Sequence, residues 1–177
     1  MPITGGWLTL LKNHDEQLLS MALQFVEVVA FMHEHNVTHM DLKPHNVIIP
    51  PEGGHLLIIN FSVSLRVHSP DDTYTGVVST EDYMALEVHA GLYKLMLADL
   101  WSCGRTLEEF CSGCCSPVDC MALLQISGEL VNQNPETYLK MSTVLEQLVP
   151  LIIQGDNVIS WYAEVSLHCL LRSQVLM

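Results

Sequence analysis

The stretch His39-Met40-Asp41-Leu42-Lys43-Pro44-His45-Asn46 constrains this chain more than any other part of it. Pro44 cannot continue a helix, and it pushes Lys43 towards extended geometry. The apolar run Val47-Ile48-Ile49 follows and is closed by Pro50-Pro51, the pattern of a short buried strand. Upstream, Leu18, Ala22, Phe25, Val29 and Met32 recur at helical spacing. They predict a helix over residues 15–35, with Asn36 as its stop. The eight residues are therefore a loop between a helix and a strand, presenting an aspartate, a lysine and an asparagine together. Phosphoryl transfer needs that set: a base for a hydroxyl proton, a cation for a phosphate and an amide for a metal.

Read as H-x-D-L-K-P-x-N, the loop resembles the catalytic loop of eukaryotic protein kinases, H-R-D-L-K-P-x-N. The resemblance implies Asp41 as catalytic base, Lys43 beside the transferred phosphate and Asn46 as a metal ligand. Lysine at this position is the pattern of the serine/threonine branch, and Met40 stands where the family has arginine. Leu56-Leu57-Ile58-Ile59 reads as a second short strand, paired with residues 47–49. It ends at Asn60-Phe61-Ser62, where the family carries D-F-G. The resemblance then puts Asn60 in the place of the magnesium aspartate, with Phe61 retained. An amide offers the ion one oxygen but no negative charge, and serine restricts a backbone that glycine leaves free.

Further along, residues 63–84 correspond to the activation segment, with Thr73, Tyr74, Thr75, Ser79 and Thr80 as its hydroxyls. With Met40 in place of arginine, a phosphate added there gains little ordering, so these read as polar loop residues. Residues 79–87 resemble G-T-x-x-Y-M-A-P-E, with Leu86 for proline and Glu87 kept. Ala98-Asp99-Leu100-Trp101-Ser102-Cys103-Gly104 matches D-x-W-S-x-G at a helix start. An aspartate there accepts backbone N–H groups, and the resemblance implies that they belong to the catalytic loop. His39, Phe61, Glu87, Asp99 and Trp101 are thus structural, Trp101 as core. Residues 134–142 resemble D-P-x-x-R-P-x-x-S, where the family arginine pairs with the glutamate matched by Glu87. Here it is Tyr138, so either Lys140 replaces it or Glu87 is solvated. A helix is expected over 121–130, and Thr143 with Glu146 has capping-box spacing at the start of another, which Pro150 ends or bends.

At 177 residues the chain is long enough for one domain with a real core. Its net charge of −13 makes nucleic acid and anionic membranes poor partners. Its hydrophobic content of 49% points to a dense core or to apolar surface meant for a protein partner. Cys103, Cys111, Cys114, Cys115, Cys120 and Cys169 come without a secretory pattern or a membrane-length apolar run, so a cytoplasmic or nuclear setting with free thiols is expected. One C-x-x-C lacks the second pair that zinc requires, and His33, His35 and His39 have no carboxylate or thiol spaced to complete a site.

The fold expected is mainly α (α+β), a kinase-type large lobe with short strands over residues 1–153. Residues 154–177 are expected to be a C-terminal extension; were it helical, Ile159, Tyr162, Val165 and Leu170 would line one face. No glycine-rich loop with a strand lysine precedes residue 1, so the chain reads as that lobe alone, with a missing small lobe or a protein partner to complete it. Two functions follow. One is a pseudokinase acting as a binding or scaffold module, with no cofactor. The other is an active serine/threonine kinase using ATP and Mg²⁺, with Asp41 as base and Asn46 and Asn60 on the nucleotide-bound metal.

Overall fold

A computed structural model describes residues 14–49, 54–112 and 115–153. Pro50-Pro51, which close the first apolar run, Cys114 and the extension at 154–177 lie outside the described residues.

Helix α1 (His14–Glu34) carries the predicted stripe: Leu18, Ala22, Phe25, Val29 and Met32 are all buried. It ends where Asn36 turns into the left-handed region at φ 58°, a conformation asparagine tolerates better than most residues. Three two-stranded antiparallel ladders follow among short connections. β1 (Val37–Thr38) pairs with β4 (Leu65–Arg66), and β2 (Val47–Ile48) with β3 (Leu57–Ile58), as the two apolar runs predict. β5 (Thr73–Tyr74) pairs with β6 (Tyr93–Lys94). α2 (Leu86–His89) lies between them, and α3 (Leu95–Phe110) begins directly after β6.

α3 is the centre of the packing. It touches α1, α4 (Pro117–Leu130) and the short turn at Pro44–Asn46, while α5 (Met141–Ile153) lies along α1. Phe25 of α1 and Phe110 of α3, both fully buried, meet with ring centroids 5.4 Å apart. α3 and the end of α4 approach so closely at Gly104 that a Cβ there would sit 2.8 Å from Leu130 Cβ and 2.6 Å from Val131 Cγ2. Only glycine fits.

Three sequence expectations need correction. α3 starts at Leu95, so Asp99 lies inside the helix rather than at its start. α4 begins at Pro117, a turn before residue 121, because proline suits a first helical turn. α5 begins at Met141, which leaves Thr143 within the helix and removes the capping-box role; Pro150 is accommodated inside it.

Candidate functional site

Asp99 is fully buried and organises the catalytic loop from below. Its Oδ2 accepts the His39 backbone N–H at 3.0 Å, and its Oδ1 accepts that of Met40 at 2.8 Å. His33 Nε2, from the end of α1, lies 2.9 Å from Oδ2. A buried carboxylate is costly unless donors surround it, and here three do. Those bonds hold Met40 at φ 67°, a left-handed conformation unusual for a long side chain, and send that side chain into the core. His39 is also buried. Its Nε2 reaches the Ile59 carbonyl at 2.9 Å, its Nδ1 accepts the Asp41 N–H at 3.3 Å, and its ring packs edge-on against Phe61. The catalytic loop is thereby tied to the loop after β3.

Asp41 stands on this base. Lys43 Nζ lies 3.0 Å from its Oδ1 and 2.9 Å from its Oδ2. Thr80 Oγ1 donates to Oδ1 at 2.8 Å and accepts from Lys43. Asn46 Nδ2 donates to Oδ2 at 2.9 Å and to the Asp41 carbonyl at 2.7 Å. Burial alone would raise the Asp41 pKa, but the bonds from Lys43, Thr80 and Asn46 outweigh it and hold the carboxyl below its ordinary range. Lys43 is extended at φ −165°, and Pro44 opens the short 3₁₀ turn that delivers Asn46, as the proline argument requires.

The second arm is Asn60, left-handed at φ 67° and exposed. Its Nδ2 donates to Asn46 Oδ1 at 3.4 Å, and its Oδ1 accepts Ser62 Oγ at 3.0 Å. Side chains thus form one directed chain, Ser62 to Asn60 to Asn46 to Asp41. The two amide oxygens that would face a metal already have donors. No group of three or more His, Cys, Asp or Glu able to hold a metal ion occurs among the described residues. Asn46 and Asn60 would offer Mg²⁺ two neutral amide oxygens and no negative charge, where the ion favours carboxylates and retained water.

The structure brings Asp41, Lys43, Asn46, Asn60 and the supporting His39, Phe61 and Asp99 into one site. Trp101 is core and meets Tyr138 at 6.2 Å between ring centroids. Glu87 stands apart and is half-buried. Lys140 is exposed and is not its partner. Instead Tyr138 Oη, whose nearer acceptor is the Asn132 carbonyl at 3.2 Å, reaches Glu87 Oε2 at 3.4 Å, while buried Oε1 has no partner. Burial pushes the Glu87 pKa up, against smaller opposing effects from its own backbone N–H and from Tyr138.

The sequence pattern shows Thr80 only as a segment hydroxyl and His33 only as a histidine without a spaced carboxylate or thiol. Both act across long loops that spacing does not encode. Ser62 was noted for the glycine it replaces, not for the bond it makes.

The protein kinase domain family matches residues 9–142. The chain belongs to that family. This kinase-domain chain is 30% identical over 110 residues to the dual specificity protein kinase zak2 of Dictyostelium discoideum, an alignment covering 58% of the chain and 17% of that protein. It is 26% identical over 160 residues to rabbit (Oryctolagus cuniculus) cyclin-dependent kinase-like 2, covering 86% and 28%. It is 32% identical over 147 residues to the putative CBL-interacting protein kinase 27 of Oryza sativa subsp. japonica, covering 70% and 36%. The chain therefore spans well under half the length of these relatives. Kinase domains of this family use ATP and Mg²⁺. No helix among the described residues is long and apolar enough to cross a membrane.

Proposed function

We propose that this chain is a pseudokinase: a kinase fold that works as a protein-binding or scaffolding module and has lost phosphotransfer. The observation that carries the reading is the chain from Ser62 through Asn60 and Asn46 to Asp41. In the family the second arm brings a negative charge to the metal. Here it brings a neutral amide whose own hydrogen bonds close the gap. Phosphoryl transfer depends on charge neutralisation and positioning, and this arm supplies the positioning alone. The partner is expected to be a protein, because a chain of net charge −13 repels nucleic acid and anionic lipid.

One observation favours a second reading. The Thr80 hydroxyl donates to Asp41 Oδ1 at 2.8 Å, so Asp41 stands where it can accept a hydroxyl proton and Lys43 stands beside it. That geometry supports an active serine/threonine kinase with Asp41 as base.

A thermal unfolding scan with and without ATP, in Mg²⁺ or in EDTA, separates the two. A ligand at about 100 times its Kd adds ~2.7 kcal/mol to stability. The pseudokinase reading expects a cooperative transition that ATP and Mg²⁺ together do not move. A shift that requires both would overturn it, and Asn60→Asp should then raise phosphotransfer to a protein substrate.

A further inference from the structure

The segment between Phe61 and Met84 is held at three places, and only two belong to the site already described. Its start is tied by β4 against β1, and its end by Thr80 on Asp41 and Lys43. The third tie is in the middle. Thr73 and Tyr74 pair with Lys94 and Tyr93 immediately before α3. Tyr93 Oη donates to the Gly76 carbonyl at 3.1 Å, and the Tyr74 and Tyr93 rings meet edge-on at 6.1 Å. Asp72 Oδ2 accepts the N–H groups of His68 at 2.7 Å and Ser69 at 3.1 Å, which rounds off the loop leading into β5. The Asp72 carbonyl faces the Leu95 N–H at 3.4 Å, and Lys94 Nζ lies between Asp71 and Glu136 at 3.1 and 3.0 Å. Gly76 makes the turn possible. It sits at φ 143°, and a Cβ there would be 3.0 Å from the Tyr74 ring.

Among the described residues, the charges around this tie give an added phosphate little to hold. Met40 is buried and uncharged. Lys43, Lys94 and Arg105 already have partners, the last in Glu108 and the Asp82 carbonyl. Asp71, Asp72 and Glu136 make the surroundings of β5 acidic, with His68 the neighbouring titratable base and Arg66 exposed on β4.

We infer that β5, β6 and the Tyr93–Gly76 bond form a latch that keeps the 64–84 segment ordered without phosphorylation. The segment is then a standing surface next to Asp41, whatever the modification state of Thr73, Tyr74 or Thr75. This inference does not depend on the pseudokinase reading, since a latched segment suits an active or an inactive site.

Hydrogen–deuterium exchange on the full chain, before and after phosphatase treatment, tests it. The expected result is that residues 72–77 exchange at least about tenfold more slowly than an unstructured peptide in both samples. Tyr93→Phe keeps the ring and removes the donor, and should speed exchange there about fivefold, the equivalent of one ordinary hydrogen bond. Gly76→Ala should open the same residues further while amides in α1 and α3 keep their protection. Exchange of 72–77 at peptide rates in the dephosphorylated protein would overturn the inference. So would faster exchange after phosphatase treatment, or a Tyr93→Phe effect that is absent or equally large in α3.

Discussion

Asp99 is fully buried and Glu87 half-buried with one oxygen out of water, and the fold treats these two carboxylates in opposite ways. Asp99 has a donor for each direction its oxygens face: two backbone N–H groups and the His33 imidazole. Glu87 has its own backbone N–H, one long contact to a phenol, and a buried Oε1 without a partner. Among the described residues, the other buried side-chain oxygen without a partner, Ser79 Oγ, lies in the same stretch, on a residue held at φ 135°. The catalytic-loop foundation is thus fully satisfied, while residues 79–87 carry strain and unpaired groups. A fold can keep its skeleton through such a satisfied node while a neighbouring corner departs from the family pattern, because the cost of each unpaired group is local.

The sharpest way to break this contrast is at Asp99. Asp99→Ala leaves two buried N–H groups without an acceptor, each worth about 1–3 kcal/mol. We expect a loss of about 3 kcal/mol or more, seen as a melting midpoint lower by roughly 10 °C for a chain of this size. A change within about 2 °C would mean that water replaces the carboxylate and the node is not structural. The opposite sign is expected at Ser79. Ser79→Gly removes both the backbone strain and the unpaired hydroxyl, and should raise stability by about 1–2 kcal/mol in urea denaturation; a loss would show that the serine has a partner in solution.

The smallest effect concerns pH. The folded-state pKa of Glu87 is raised by burial, so its contribution to stability is complete below the ordinary carboxylate range and is lost as pH rises through the folded value. Glu87→Gln carries no such loss. The variant should match the parent near pH 4 and exceed it at pH 7 by about 1 kcal/mol, the low end of the cost of an unpaired buried group. Parallel stability curves for the two proteins would show that Glu87 is solvated, as one sequence expectation had it.

Much of this was legible before the structure. The α1 stripe, the β2–β3 pair and the loop at 39–46 follow from short-range pattern, because proline, periodicity and residue type act within a few positions; the place given to Asn60 came from the family resemblance alone. What was not legible depends on pairing across distance. Thr80 finds Asp41 from 39 positions away. β5 and β6 are two residues each, too short for any alternation to show. Tyr138 reads as a lost arginine until its hydroxyl is seen against Glu87 and the Asn132 carbonyl. The early start of α4 did leave a signal in Ser116-Pro117-Val118-Asp119, where the Ser116 hydroxyl bonds Asp119 at 2.8 Å, but the neighbouring cysteines drew the reading instead.

Gly104 has a mechanical consequence. It sits five positions beyond Asp99 on α3, about 7.5 Å along the axis at 1.5 Å per residue. At Gly104 α3 rests its bare backbone on the Leu130 and Val131 side chains, and at Asp99 it carries the loop at 39–46. Close-packed contacts transmit displacement rather than absorb it. α3 is therefore a short stiff rod between the far end of α4 and Asp41, and pressure on that corner is felt at the base of the site.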